Sequence, residues 1–196
     1  MDLHHHVVEI FHQSIDSKMQ TLDEVSSHIA SCSELIVRGL LNENKILCCG
    51  EGLSGAIAQI FCASLLNRYH YERPGLPAIC LSSDATTLTA ITADSTLNEI
   101  FSKQIRALGQ AGDILLVIAN GRTGSILQAI QTAHDREMIV LALHDNDSSD
   151  ISSLLLPEDM NIKIPGESAA RVIETELLVI NCLSELIDRQ LFGSEE

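Results

Sequence analysis

A glycine-rich turn in the first third of the chain carries the clearest chemical signal in the sequence. Gly50, Gly52 and Gly55 spell G-x-G-x-x-G directly after a short apolar run, and Ser54 lies inside the pattern. Glycines at this spacing permit a tight strand-to-helix turn whose free N–H groups can hold a phosphate. A dinucleotide site would also need an acidic residue about twenty residues on, at the end of the second strand. The segment at that distance, "NRYHYERPGLP", is typical of a turn, so the pattern favours a phosphate cradle.

A second polar turn with glycines follows the third predicted strand, in the segment "IANGRTGSILQAI" at 118–130. Asn120, Thr123 and Ser125 supply side-chain donors there, and Arg122 could pair with a phosphate. Two such turns at one sheet edge predict a single anion site. Its predicted residues are Gly52, Leu53, Ser54, Asn120, Arg122, Thr123 and Ser125. The alternative is two ordinary turns that begin with helix-capping Ser and Thr residues.

The elements that must position these turns alternate between strand and helix along most of the chain. We expect strands at Lys45–Cys49, Ala78–Ser82, Ile114–Ile118, Ile139–Leu143 and Met160–Ile164. We expect helices at about 54–68, 97–108, 125–135 and 168–191, after two amphipathic helices at 3–20 and 22–41 that form a hairpin. This order predicts right-handed βαβ units, hence a parallel sheet with helices on both faces.

Composition narrows the class of protein. The chain has 196 residues, 45% of them apolar, and a formal net charge of −15, which argues against direct binding to nucleic acid or to anionic membranes. No apolar run is long enough to span a membrane, and the start of the chain does not resemble a signal peptide. Six cysteines without a C-x-x-C pair predict buried, reduced thiols. We therefore expect a cytoplasmic protein. A metal-binding role for the run His4–His6 is the less favoured interpretation.

With both turns in view, the chain resembles the sugar isomerase (SIS) domain family, in particular bacterial phosphoheptose isomerases and their replication initiator-associating relative. The resemblance covers nearly the whole chain and includes "NRYHYERPGLPAICL", "TAHDREMIVLAL", "LLLPEDMNIKIP" and "LIDRQLFGSEE". It implies a flavodoxin-like, three-layer αβα sandwich around a five-stranded parallel sheet, in one domain over 1–196. The hairpin would take 1–41, and the core with the last helix 45–192. It also implies a homotetramer with sites at subunit interfaces, and it matches Gly50–Ser54 to the family's phosphosugar loop.

The resemblance also implies a chemistry and the positions that should perform it. Moving a sugar carbonyl to the neighbouring carbon needs positioned acid and base groups. The family uses a Glu and a His, which also hold zinc together with a second His and a Gln. At the matching positions this chain has Ile60, Ser64, Ile173 and Asn181. We therefore expect no catalytic residue, no metal and no zinc cofactor at these positions. Of the eight histidines, only His144 could stand in.

The loops that would hold the phosphate also depart from the family pattern. Glu51 replaces an Asn and puts negative charge beside the expected phosphate, which should weaken anion binding. The second turn, "ANGRTGS", is one residue shorter than its family counterpart. Asp94 matches an acidic substrate-contacting position, although it could equally be a helix-entry residue.

Three functions remain open at this point. The first is a catalytically degenerate homotetrameric scaffold or regulator, like the relative that binds the replication initiator DnaA. The second is a phosphoheptose isomerase, acting on sedoheptulose 7-phosphate, with re-sited catalytic groups. The third is a sensor that binds a sugar phosphate without turning it over.

Overall fold

The computed structural model describes residues 2–121, 124–166 and 168–193, and its centre is a five-stranded parallel sheet. The strand order is β2-β1-β3-β4-β5, the flavodoxin-like order that the resemblance implies. All five predicted strands are confirmed, with boundaries shifted by at most two residues. They are β1 (Ile46–Gly50), β2 (Ala78–Cys80), β3 (Ile114–Ala119), β4 (Ile139–Asp145) and β5 (Met160–Ile164).

Helices cover both faces of the sheet and make two apolar cores. The helices are α1 (Leu3–Leu41), α2 (Gly52–Leu66), α3 (Ala85–Asp94), α4 (Ser102–Leu108), α5 (Gly124–Asp135), α6 (Ser149–Leu154) and α7 (Ala169–Phe192). Alternate strand residues serve opposite cores: Leu116 packs with α1, α2 and α7, whereas Val117 packs with α4, α5 and α6. Because neither face meets water, β1, β3 and most of β4 are continuously buried, as parallel strands usually are.

The predicted N-terminal hairpin is wrong, because α1 is one continuous helix of 39 residues. No glycine or proline interrupts the chain near the expected break, and the Thr21 hydroxyl donates to the carbonyl of Ser17 at 2.8 Å within the same helix. The helix lies alongside α7 in the same direction. Arg171 donates to the Ile10 carbonyl near one end of this contact, and Gln190 donates to the Ser33 hydroxyl near the other.

Short elements account for the other differences from the sequence prediction. The predicted helix at 97–108 divides into a 3-10 turn at Leu97–Glu99 and the helix α4. The helices α3 and α6 were not predicted. Asp84 starts α3 by accepting hydrogen bonds from the backbone of Thr86 and Thr87.

All six cysteines are free, and four of them are buried. Within the described residues, no helix is long and apolar enough to cross a bilayer.

One buried ion pair ties the end of α7 to the segment after α2. Arg73 Nε donates to Asp188 at 2.7 Å, and both side chains are less than a tenth exposed. The same guanidinium donates to the carbonyls of Ser64, Leu65 and Pro74. The other carboxylate oxygen of Asp188, Oδ2, has no hydrogen-bond partner among the described residues. Arg73 therefore compensates the buried negative charge of Asp188.

We expect Arg73→Ala to lower the free energy of unfolding by about 3–5 kcal/mol, because it leaves Asp188 buried without its cation. Arg68→Ala is the matched control: the Arg68–Glu72 pair is largely exposed and should be worth less than about 1 kcal/mol. Chemical denaturation at one fixed protein concentration measures both. Equal losses in the two variants would contradict the structural role given to Arg73.

Candidate functional site

Two strand-to-helix turns meet where the strand order of the sheet reverses. After β1 the chain moves to β2 on one side, and after β3 it moves to β4 on the other. β1 and β3 are paired neighbours, with Gly50 opposite Ile118. Since every strand is parallel, both turns leave the same edge, which is where open α/β sheets bind ligands. We call residues 50–55 the first glycine turn, and the described residues Asn120, Gly121, Gly124 and Ser125 the second glycine turn.

Close backbone packing explains the glycines of the first glycine turn. A Cβ on Gly50 would lie 2.7 Å from the carbonyl carbon of Ser54, and a Cβ on Gly55 would lie 2.6 Å from the Gly50 oxygen. Gly52 has a φ of +54°, a conformation that L side chains rarely adopt. Ser82, just after β2, both donates to and accepts from the backbone of Gly50. The pattern that resembled a dinucleotide fingerprint thus specifies a tight turn, which hydrogen bonds from Ser82 hold in place.

A carboxylate of the protein itself joins the two glycine turns. Glu51 precedes α2 but makes no capping bond to that helix. Its side chain instead accepts a hydrogen bond from the Ser125 hydroxyl at the start of α5, and Ser125 is fully buried. Helix N-termini carry partial positive charge and favour a nearby anion. Glu51 therefore supplies negative charge where the sequence predicted a bound phosphate.

The remaining predicted donors are placed unequally. Ser54 is buried in the first turn of α2. The Asn120 amide nitrogen is buried and has no hydrogen-bond partner among the described residues. The Leu53 side chain is exposed, so only its backbone could serve a ligand, and Asp94 is exposed at the end of α3. Arg122 and Thr123 lie outside the described residues.

A cavity of about 320 Å³ opens beside the first glycine turn. Glu51, Gln59 and Ser82 supply its polar lining, together with the backbone of the turn. Its far wall is apolar and comes from α3 and the segment before α4: Leu88, Leu97, Ile100 and Phe101. A small ligand with one polar end and one less polar end would fit this lining.

The four positions matched to the family's catalytic and zinc-binding groups lie on α2 and α7, which pack against each other. Ile60 is 43% exposed, and Ser64 donates its hydroxyl to the Ile60 carbonyl at 3.0 Å, within its own helix. Ile173 packs against the apolar core, and Asn181 is partly exposed. Within the described part of the chain, no three His, Cys, Asp or Glu side chains are grouped to hold a metal ion. Isoleucine offers neither a zinc ligand nor a titratable proton.

Glu176 is a residue of the site that sequence reasoning did not single out. It lies in the second turn of α7, is fully buried, and neither carboxylate oxygen has a hydrogen-bond partner within the described residues. Burial, and then the charge of Asp145, raise its pKa to about 8, while the Ser54 hydroxyl opposes this without making a well-formed hydrogen bond. The signal in the sequence was an acidic residue on the apolar face of α7, which is formed by Val172, Val179, Ile180 and Leu183.

Asp145 and His144, at the end of β4, have different roles. Asp145 accepts hydrogen bonds from the Gly121 backbone at 3.0 Å and from Ser148, and so anchors the second glycine turn. His144 is fully buried, and its ring nitrogens contact the Asp145 carbonyl, Asn161 and Ser152. These contacts give His144 a structural position between β4, β5 and α6, and within the described residues its hydrogen-bond partners lie outside the glycine turns.

The sheet order and the converging turns define an open α/β protein with its candidate site at the strand reversal, and comparison with known proteins specifies the family. Residues 10–145 match the SIS domain model, and the chain belongs to the SIS-domain family. It is 48% identical to the phosphoheptose isomerase of Chromohalobacter salexigens, with 100% of both chains covered. It is 45% identical to the DnaA initiator-associating protein DiaA of Cronobacter sakazakii, with 95% of each covered. The structure of a phosphoheptose isomerase from Francisella tularensis matches with a TM-score of 0.92 and 37% identity, over 96% of this chain and 100% of that one.

We expect Glu176→Gln to change how stability depends on pH. In the unfolded chain this carboxyl titrates near 4.5, and in the folded protein near 8. Between these values the native state binds a proton that the unfolded state lacks, so its contribution to the free energy of unfolding falls as pH rises, by an amount on the order of a few kcal/mol. The variant should lack this fall and be the more stable protein at pH 8.

Glu174→Gln is the control for that measurement. The pKa of Glu174 is lowered, first by the Ser14 hydroxyl and then by Lys18, so its contribution is complete above about pH 5 and changes only in acid. Urea midpoints from pH 5.5 to 9 should therefore run parallel for the parent and this variant. A parallel curve for Glu176→Gln would show that Glu176 is ionised in the fold at neutral pH.

Proposed function

We propose that this SIS-domain protein is a homotetrameric scaffold or regulator without isomerase activity, in the manner that the name of the DnaA initiator-associating relative suggests. The observation that carries the proposal is the set of side chains at the four matched positions. Ile60 and Ile173 remove two functional groups outright, and Ser64 and Asn181 are weak zinc ligands. The partner we propose is the replication initiator DnaA. A sugar phosphate at the glycine turns would then act as a regulatory ligand.

An exposed apolar stripe on α1 supports self-association. The stripe consists of Leu3, Val7, Phe11, Ile15, Met19 and Leu22, each at least 51% exposed. These residues repeat every three or four positions, so they share one side of the helix. A contiguous apolar patch of this kind marks an interaction surface.

We expect the chain to be a tetramer at micromolar concentration. The double variant Phe11→Glu, Ile15→Glu should have a lower mass in solution, because charges on the α1 stripe oppose burial of the stripe between subunits. Light scattering coupled to size-exclusion chromatography measures the mass directly. Gln13→Glu adds a charge on the other side of the same helix and should leave the mass unchanged. A monomeric parent protein would contradict this part of the proposal.

Phosphoheptose isomerase is the second candidate function. Relatives with that name reach 48% identity over the full length, slightly more than the DnaA initiator-associating relative at 45%. Glu176 also offers a carboxyl whose pKa, about 8, suits proton transfer near neutral pH. Its complete burial beneath the turns weighs against direct contact with a substrate.

The two candidates give opposite results in a paired assay on one purified sample. We expect the chain to bind DnaA in a surface-immobilisation assay and to show no turnover of sedoheptulose 7-phosphate. General acid and base groups each contribute roughly 10²–10⁴-fold to rate, so losing both should cost on the order of 10⁴-fold or more. Turnover that survives chelation, without DnaA binding, would replace the proposal with the isomerase.

A rebuilt site provides the positive control for the activity assay. Ile60→His, Ser64→Glu, Ile173→Gln and Asn181→His together restore the side chains that the resemblance implies. Measurable turnover in this variant alone would show that the scaffold of the site is intact and that the four replacements abolish activity. The same variant should keep the mass of the unmodified protein, because the changes leave the α1 stripe untouched.

A further inference from the structure

Glu176 is the one fully buried carboxyl of the candidate site whose two oxygens have no hydrogen-bond partner in the described part of the chain. An unpartnered buried polar group costs free energy, so each one in a native protein needs a specific explanation. Apolar residues fill the neighbouring positions on the same face of α7, so the fold does not need a carboxyl here. What the carboxyl faces therefore indicates its role.

Glu176 lies between the anchors of both glycine turns. On α2 it faces the Ser54 hydroxyl, in the first glycine turn. On β4 it faces Asp145, whose Oδ2 accepts from the Gly121 backbone in the second glycine turn. The cations Lys18 of α1 and Arg171 of α7 are bound to Glu174 instead, so neither neutralises Glu176.

We propose that Glu176 is a proton-controlled positioning residue: when neutral it lets the two glycine turns hold an anionic group, and when ionised it releases that group. This inference rests on the proposed function, in which the glycine turns bind a sugar phosphate. It adds that binding is coupled to a proton on a residue that the ligand does not touch.

The coupling follows from hydrogen-bond geometry and charge. An ionised Glu176 would recruit the nearest donor, the Ser54 hydroxyl, and so remove it from the ligand. It would also place a second negative charge next to Asp145, which holds Gly121. Both effects oppose an anion at the turns, and in a buried setting such charges are only weakly screened.

The pKa of Glu176, about 8, puts this change within reach of ordinary pH values. At pH 7 the carboxyl is mostly neutral, and at pH 9.5 it is mostly ionised. A ligand that binds only the neutral form loses apparent affinity in proportion to that population, by up to about 30-fold between these two pH values. Linkage is reciprocal, so the bound anion must also raise the pKa of Glu176.

Calorimetric titration with sedoheptulose 7-phosphate at pH 7.0, 8.0 and 9.5 tests the proposal. A phosphate monoester has its second pKa near 6, so the ligand stays dianionic over this range. The parent for the series is Glu51→Asn, because the wild-type Glu51 carboxylate already engages Ser125. We expect Kd to weaken by tens of fold with rising pH in this parent. Adding Glu176→Gln should make Kd independent of pH, and adding Glu174→Gln should leave the pH dependence intact.

A carboxyl 13C titration of the same proteins, with and without the sugar phosphate, gives a readout that a merely structural residue would not move. We expect the Glu176 resonance to titrate at higher pH in the bound protein. An unchanged pH dependence after Glu176→Gln, or a Kd that is flat in the parent, overturns the proton control while leaving the anion site standing. Absence of binding at every pH in all three proteins overturns the anion site and the control with it.

Discussion

The site depends on one topological constraint: after the neighbouring strands β1 and β3, the chain continues to opposite sides of the sheet. Each strand must be followed by a crossover, and the crossovers from these two neighbours run to opposite sides of the sheet. No helix can therefore cover the edge between them, and α2 and α5 present their N-termini there. The glycines at 50 and 55 allow the backbone to turn within van der Waals contact of itself, which keeps the start of α2 at this edge. The cavity and the bridge from Glu51 to Ser125 both follow from that placement.

Three carboxyl groups at this edge of the sheet receive different numbers of hydrogen bonds, and these numbers distinguish their roles. Asp145 has a backbone N–H and Ser148 as partners, and it serves the fold of the second glycine turn. Glu51 has a single hydroxyl partner across the gap, so a ligand with stronger acceptors could displace it. Glu176 has no hydrogen-bond partner among the described residues, and burial raises its pKa to about 8. An edge whose helix termini favour anions thus contains its own negative charges, and ligand binding must compete with them.

The sequence predicted the sheet well because its strands are short apolar runs bounded by turn residues, and their length distinguishes them from buried helices. Periodicity alone could not decide whether α1 was one helix or two, since a hairpin and a straight helix share the same apolar spacing. The continuous helix is fixed by contacts with α7 at Arg171 and Gln190, which are distant in sequence. The helix α3 escaped prediction because four threonines weaken its local propensity, and a single Asp84 cap compensates. The residues named for phosphate binding stay a prediction. The contact of Glu51 with Ser125 spans 74 positions, so only the fold could reveal it.

The chain is almost equally identical in sequence to the two groups of relatives, and this has a physical explanation. A large part of the chain builds the sheet, its two cores and the tight turns, and both an isomerase and a scaffold on this fold need all of these. The chemical difference rests on a few side chains on the facing helices α2 and α7. There Ile60, which is 43% exposed, and Ile173, which packs against the core, stand where the family pattern has a histidine and a glutamine. Under the proposed function, such a change removes acid–base and zinc-binding groups while α2 and α7 still pack against each other. The functional assignment must therefore follow the side chains at 60, 64, 173 and 181 rather than the overall percentage.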